Sequence, residues 1–136
     1  MRLEPLLSKV KSFLVQKEDG SATIEAVLWM PIFVFVLALA ADAAMIYGAQ
    51  AQALRIVQDA NRSMSIGRLR STEETQSFIM SHLSEISPNA QVTTTVQMGV
   101  ITTRVMMPAS DLSVTRMIPA FADVNVGIRA QHVAET

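Results

Sequence analysis

The sequence predicts an α+β protein: a long N-terminal transmembrane helix, then a small head of one helix and a three-stranded antiparallel sheet. Three observations predict it. Residues 26–49 are apolar except for Asp42 and the hydroxyl of Tyr47, and about 20 such residues cross a bilayer core at ~1.5 Å each. Past that run the 3.6-residue period continues to Ile66 with one apolar stripe, so the same helix leaves the membrane and becomes amphipathic. From Gln91 the period changes to two, the signature of half-buried strands.

Residues 1–20 carry Lys9, Lys11 and Lys17, with Leu6, Leu7, Val10, Phe13 and Leu14 on one helical face. They read either as a short interfacial helix or as a solvated tail. The second segment is a long helix over 21–70, with its membrane span at about 26–46. Lysines precede the span, and Arg55, Arg62, Arg68 and Arg70 follow it, so the positive-inside rule alone leaves orientation open. Pro31 lies within the span, where it removes one backbone bond and kinks the helix. Ala40, Ala44 and Gly48 recur every four residues, a row of small side chains that lets a second helix approach closely. Beyond the span, Ala49, Ala53, Ile56, Val57, Ala60 and Met64 form the stripe, and Gln52, Arg55, Asp59 and Arg62 lie elsewhere on the surface. A helix from about 22 to 66 is roughly 65–70 Å long.

The head occupies 71–136. Gly67 offers a stop for the long helix, and Ser71 with Glu74 makes a capping box for the next. That helix presents Phe78, Ile79, Leu83 and Ile86 on one face and ends at Pro88-Asn89. Val92, Thr94, Val96 and Met98 alternate, Gly99 marks a turn, and Ile101, Thr103, Val105 and Met107 alternate after it. Residues 108–123 hold Pro108 and Pro119 and read as a loop with one helical turn near Asp111–Met117. Val124, Val126, Ile128, Ala130 and His132 form the last strand. A module this small is marginal by itself, and the stripe on the long helix offers the missing apolar face.

Composition narrows the function. The net charge of −1 shows no basic stripe for nucleic acid, and the absence of cysteine rules out disulfides, thiolate metal sites and cysteine nucleophiles. His82 and His132 fall on different elements, and His82 with Glu85 falls short of the three protein ligands of a catalytic zinc. His82 reads as a residue at the border of the apolar helix face, and Met30, Met45 and Met64 read as packing. No assembled catalytic motif, metal site or cofactor site is legible, so the expectation is a protein that is not an enzyme. The two acids of the apolar run are more informative. Glu25 and Asp42 are 17 positions apart, about 26 Å of helix, which places them near opposite headgroup zones of a ~30 Å core. For Asp42 that interfacial position is a sufficient reading.

The stretch Gly20-Ser21-Ala22-Thr23-Ile24-Glu25 and the apolar helix behind it resemble the processing site of type IV pilin-like precursors. The resemblance implies that a prepilin peptidase, a membrane aspartyl protease, cuts after Gly20 on the cytoplasmic side. It also implies that Glu25 then stands fifth in the mature chain and pairs with the new amine of Ser21 on a neighbouring subunit during assembly. Gly20 through Pro31, "GSATIEAVLWMP", is similar to the start of the TadE-like family, minor pseudopilins of the tight-adherence (Tad) pilus system. A glycine, an acid after a short spacer, an aliphatic run and a proline six residues beyond the acid are typical there. Ala26 stands where that family commonly has phenylalanine, and the major pilins of the system are much shorter.

The resemblance therefore implies a minor pseudopilin that assists assembly or adherence of a Tad-type pilus. Its partners are the membrane, the prepilin peptidase and other pilins or pseudopilins through the N-terminal helix. It places the protein in a bacterial inner membrane, N-terminus cytoplasmic and head periplasmic, or in the pilus itself. Two alternatives stand beside it: an uncleaved membrane-anchored periplasmic component of the same machinery, and a secreted small domain cleaved near Ala40, where Ala38-Leu39-Ala40 satisfies the small-x-small signal pattern.

Overall fold

The computed structural model describes the backbone of residues 4–116 and 123–135, and side chains within those from Gly20 onward. The chain divides into two compact units, 1–38 and 39–136. Helix α1, Glu4–Ser65, contributes to both. It therefore begins well before the expected start near residue 22. Local composition explains this: Glu4 to Asp19 contains no glycine, and its one proline, Pro5, sits in the first turn, where a missing N–H costs nothing. The faces of the side chains before Gly20 lie outside the described residues. In the first unit, every residue from Gly20 to Leu37 is exposed.

The second unit is built around the rest of α1. Ala53, Val57, Ala60, Asn61 and Ser65 are buried, with Ile46 and Ala49 half-buried on the same face. The stripe read from the sequence is thus the buried one, while Met30 and Met45, expected to pack, are exposed. Helix α1 ends by a Schellman motif. Gly67 has φ +76°, its N–H donates to the Met64 carbonyl at 3.1 Å, and the Arg68 N–H donates to the Ser63 carbonyl at 2.8 Å. Glycine tolerates that left-handed position without a Cβ clash.

Helix α2, Thr72–Leu83, starts at the expected cap. The Glu74 N–H donates to Ser71 Oγ at 3.1 Å, and the Arg70 N–H donates to Glu74 Oε2 at 2.8 Å. The reciprocal bond thus reaches one residue further back than the usual box. Thr75, Ile79 and Leu83 are its buried face.

Strands β1 (Gln91–Gln97), β2 (Val100–Pro108) and β3 (Asn125–Val133) form one antiparallel sheet in the order β1-β2-β3. The β1–β2 hairpin turns on Met98 (φ +50°) and Gly99 (φ +75°), the pattern of a type I′ turn. Along β2, Ile101, Thr103, Val105 and Met107 face the core, as the alternation predicts, and Val126 and Ile128 of β3 join them. Val96 and Val124 are exposed. Both α1 and α2 cover this one face, so the long helix provides apolar surface that a lone three-stranded sheet lacks.

The short helix α3 is Ala109–Leu112, earlier than the turn expected at Asp111–Met117; residue 117 lies outside the described residues. Two contacts set its position. The Ala109 N–H donates to the Val124 carbonyl at 2.8 Å, and the chain after Leu112 is taken up by Asp42.

Candidate functional site

Gly20, Ser21, Glu25, Pro31, Ala40, Ala44 and Gly48 all lie on α1. Gly20, Ser21 and Glu25 are exposed on the helix. A Cβ built at Gly20 meets no atom within 4 Å. Pro31 is inside the helix, where the Val27 carbonyl loses its intrahelical donor. Ala40, Ala44 and Gly48 are exposed, turned well away from the buried stripe. Ala44 and Gly48 line a groove of about 360 Å³ with Ile86, Leu112 and Val114.

The residue whose partners sequence reading did not find is Asp42. It is fully buried within the head. Its Oδ1 accepts the Val114 and Thr115 N–H groups, each at 3.0 Å. Its Oδ2 accepts Ser113 Oγ at 2.9 Å and Thr115 Oγ1 at 2.6 Å. Four donors match the acceptor capacity of an ionised carboxylate and replace its hydration shell. The partners lie more than 70 positions along the chain, and two of them are main-chain amides that no residue identity announces. The only available signal was an acid in phase with the stripe, at i and i+4 to Ile46.

A second polar system holds α1 to the sheet. Thr103 Oγ1 donates to Asn61 Oδ1 at 2.6 Å, and Thr94 Oγ1 lies 3.0 Å from Thr103 Oγ1. A hydroxyl has one proton, so Thr94 is the donor of that pair. Asn61 Nδ2 in turn donates to the Ala130 carbonyl at 3.4 Å. One α1 amide is thereby tied, directly or through one hydroxyl, to all three strands. One turn on, Ser65 Oγ donates to the Val133 carbonyl at 3.1 Å and accepts the Glu135 N–H at 3.0 Å. Among the described residues no buried side-chain polar atom lacks a partner.

A third cluster joins α3 to the α2–β1 turn. Asp111 Oδ2 accepts Ser87 Oγ at 2.7 Å and the Asn89 N–H at 3.1 Å, and Oδ1 accepts Asn89 Nδ2 at 3.1 Å. Burial pushes the Asp111 carboxyl up, but these bonds and the charge of Arg116 outweigh it and hold the group below its ordinary value. Glu73 is also lowered, first by its own backbone N–H and then by Thr72 and Ser71, as befits the first turn of a helix.

Chemistry beyond binding has little to work with. His82 is exposed, its Nδ1 is 2.8 Å from the Phe78 carbonyl, and its ring lies 4.3 Å from that of Phe78, so it borders the apolar face as its spacing suggests. His132 lines an open cleft of about 660 Å³ with Arg55, Asp59, Asn61 and Arg62. Among the described residues no group of three His, Asp, Glu or Cys could hold a metal. What the arrangement offers is a bare apolar helix, long and apolar enough to cross a membrane, with a mean hydropathy of 2.3 over its most apolar 18 residues.

Residues 20–62 match the family described as TadE-like protein, the family that the Gly20–Pro31 stretch resembles. The matched segment lies wholly within α1. No curated protein and no solved structure matches the chain.

Proposed function

We propose that the protein is a minor pseudopilin of a Tad-type pilus, made as a precursor, cut after Gly20 by a prepilin peptidase and docked through its N-terminal helix beside other pilins. The observation that carries this reading is the exposed helix from Gly20 to Leu37, with a glycine at one end and an acid five residues on. A helix of this kind is unfinished in water, and its apolar surface asks for lipid or for other helices.

Gly20 lies inside a continuous helix, and a protease must first unwind the bond it cuts. Glycine is ~1 kcal/mol less favourable than alanine in a helix interior, so the scissile position is a point of low helical stability. Cleavage leaves an ammonium at Ser21, and a carboxylate four residues on is one helical turn away. Within one chain the two groups are neighbours on the new helix terminus. Between chains the Glu25 carboxylate of one subunit meets the Ser21 amine of the next, and an unpaired acid in lipid opposes any other register. The head takes no part in this exchange; it holds the C-terminal half of α1, and the row of Ala40, Ala44 and Gly48 stays exposed.

N-terminal sequencing of the mature protein tests the reading. Ser21 as the first residue supports it, Ala41 supports secretion, and an intact Met1 supports an uncleaved anchor. In cells, Gly20→Val blocks processing, whereas Glu25→Ala is processed and assembles poorly. Normal processing of the Gly20→Val variant refutes the site.

A further inference from the structure

We propose that the free edge of β3 takes up an extended acidic segment of a partner protein as a fourth strand, with arginines on both sides of that edge holding its carboxylates. Two main-chain bonds at opposite ends of the β2–β3 ladder fix which groups are free. The Ala134 N–H donates to the Gly99 carbonyl at 2.7 Å, and the Ala109 N–H donates to the Val124 carbonyl at 2.8 Å. Both belong to the register that pairs Thr103 with Ala130. Bonded and non-bonded pairs alternate along an antiparallel ladder. Val126, Ile128, Ala130 and His132 therefore bond to β2, and Gly127, Arg129 and Gln131 turn their N–H and C=O groups outward. All three are exposed. Val133 has the same phase, and its carbonyl accepts Ser65 Oγ, as an outward carbonyl should.

The opposite edge of the sheet is less open. By the same alternation the outward groups of β1 belong to Val92, Thr94 and Val96, and the Thr94 carbonyl accepts Gln76 Nε2 of α2 at 3.4 Å. Among the described residues nothing bonds the outward groups of Arg129 and Gln131. The nine residues of β3 include neither Lys nor Pro, the usual guards of an exposed edge. Gln131 is eight residues past Asp123, about 27 Å of strand, and the seven chain steps from Arg116 to Asp123 span at most about 25 Å. That connection is too short to cover the edge there.

The surroundings of the edge specify its occupant. Arg104 and Arg129 are cross-strand partners, both exposed on the outer face of the sheet. Theirs is a non-bonded pair, with Cα atoms about 4.5 Å apart. Like charges so placed cost stability, and the three strands contain no Asp or Glu to offset them. On the other side of the edge, an open cleft of about 660 Å³ between β3 and α1 is lined by Arg55 and Arg62 against one acid, Asp59. An added strand presents alternate side chains to the two sides, so acids at successive positions meet arginine on each. A second β3 in that place would bring its own Arg129 onto the same face, which repulsion opposes.

The test follows amide exchange at Arg129 and Gln131 in the full, isotope-labelled chain in neutral detergent. The probe is a capped heptapeptide, Thr-Thr-Glu-Glu-Glu-Thr-Thr. Two controls accompany it, one with Gln for each Glu and one N-methylated at the three Glu amides, which keeps the charge and removes the donors. At about 1 mM peptide a millimolar binder is half-bound, so the Glu peptide is expected to slow both amides at least about twofold and to leave Val92 and Val96 unchanged. Arg129→Gln weakens its binding about two- to fivefold, the worth of an exposed ion pair. Unchanged exchange at Arg129 and Gln131 overturns the proposal. Equal protection by the N-methylated peptide means charge attraction without strand pairing, and equal protection by the Gln peptide means no preference for acids; either result overturns it. Protection that grows with protein concentration alone makes a second copy the occupant and overturns the acidic partner.

Discussion

Replacing Thr103 by valine removes one hydroxyl and keeps the shape of the side chain. In the folded head that hydroxyl donates to Asn61 Oδ1 at 2.6 Å and accepts from Thr94 at 3.0 Å, and all three residues are buried. The substitution leaves the Asn61 oxygen without a donor and the Thr94 hydroxyl without an acceptor. Each orphaned buried group costs about 1–3 kcal/mol, and the methyl that replaces the hydroxyl returns part of this. A net loss of about 2–3 kcal/mol corresponds to roughly 30- to 150-fold in the equilibrium between closed and open head. Ala60, fully buried on α1, provides the reporter. In the full chain in detergent, Ala60→Cys is alkylated only when α1 parts from the sheet, so its labelling rate follows that equilibrium when opening is fast and reversible. Thr103→Val should raise the rate by that factor. Thr95→Val, on the exposed face of β1, should leave it within about twofold. Equal rates for the two valine variants would falsify the view that the Thr94–Thr103–Asn61 chain holds the helix to the sheet.

The same reporter reads two further changes, and amide exchange reads a third. Asp111 is held below its ordinary value of 3.8; its contribution is fully present above that value and is lost as pH falls through the lower, folded one. Labelling should therefore rise on acidification below about pH 4, and Asp111→Asn should flatten that rise; an identical acid profile in the variant counts against it. Met98 occupies a left-handed position that favours asparagine before glycine, so Met98→Asn should slow labelling by a few-fold, about 0.5–1 kcal/mol, and faster labelling would contradict the turn assignment. Ser71→Ala removes the acceptor for the Glu74 N–H and should cost about 1 kcal/mol, seen as faster exchange of the first amides of α2; unchanged exchange would mean the cap is idle.

Much of this fold was legible because its signals are local. Gly67 stops α1 and Ser71-x-x-Glu74 starts α2 through bonds that span five residues or fewer. The alternation in β2 and β3 fixes which face is buried, and the apolar run of α1 is apolar at every angle. The polar attachments of α1 were not legible, for a common reason. Asp42, Asn61 and Ser65 bind partners 42 to 73 positions away, many of them main-chain groups. Asp42 looked like an interfacial charge since an acid between apolar residues has the same sequence signature whether water or amides satisfy it. Helix α3 was misplaced because its start depends on the Val124 carbonyl, which sequence spacing does not reveal.

Helix α1 meets two kinds of surroundings with two kinds of side chain, and the change falls at Asp42. From Ile24 to Leu37 the large residues Leu28, Trp29, Phe33 and Phe35 point outward in all directions. Beyond Asp42 the buried face is lined by Ala49, Ala53 and Ala60 as well as Val57. Small side chains on that face bring the helix axis close to the sheet, and the short reach of Asn61 and Ser65 to strand groups then becomes possible. Larger residues in those places would keep the axis further off and leave the same polar groups buried without partners. The small residues of the stripe and the polar residues beside it are therefore one requirement: the closer the helix lies, the more of its polar groups the sheet must satisfy. Ala40, Ala44 and Gly48 repeat the small-residue half of that pattern on an exposed face, the last two at the edge of a groove beside Ile86 and Leu112. That is the composition expected of a contact made to another apolar helix, where close approach is wanted and no strand edge waits to be bonded.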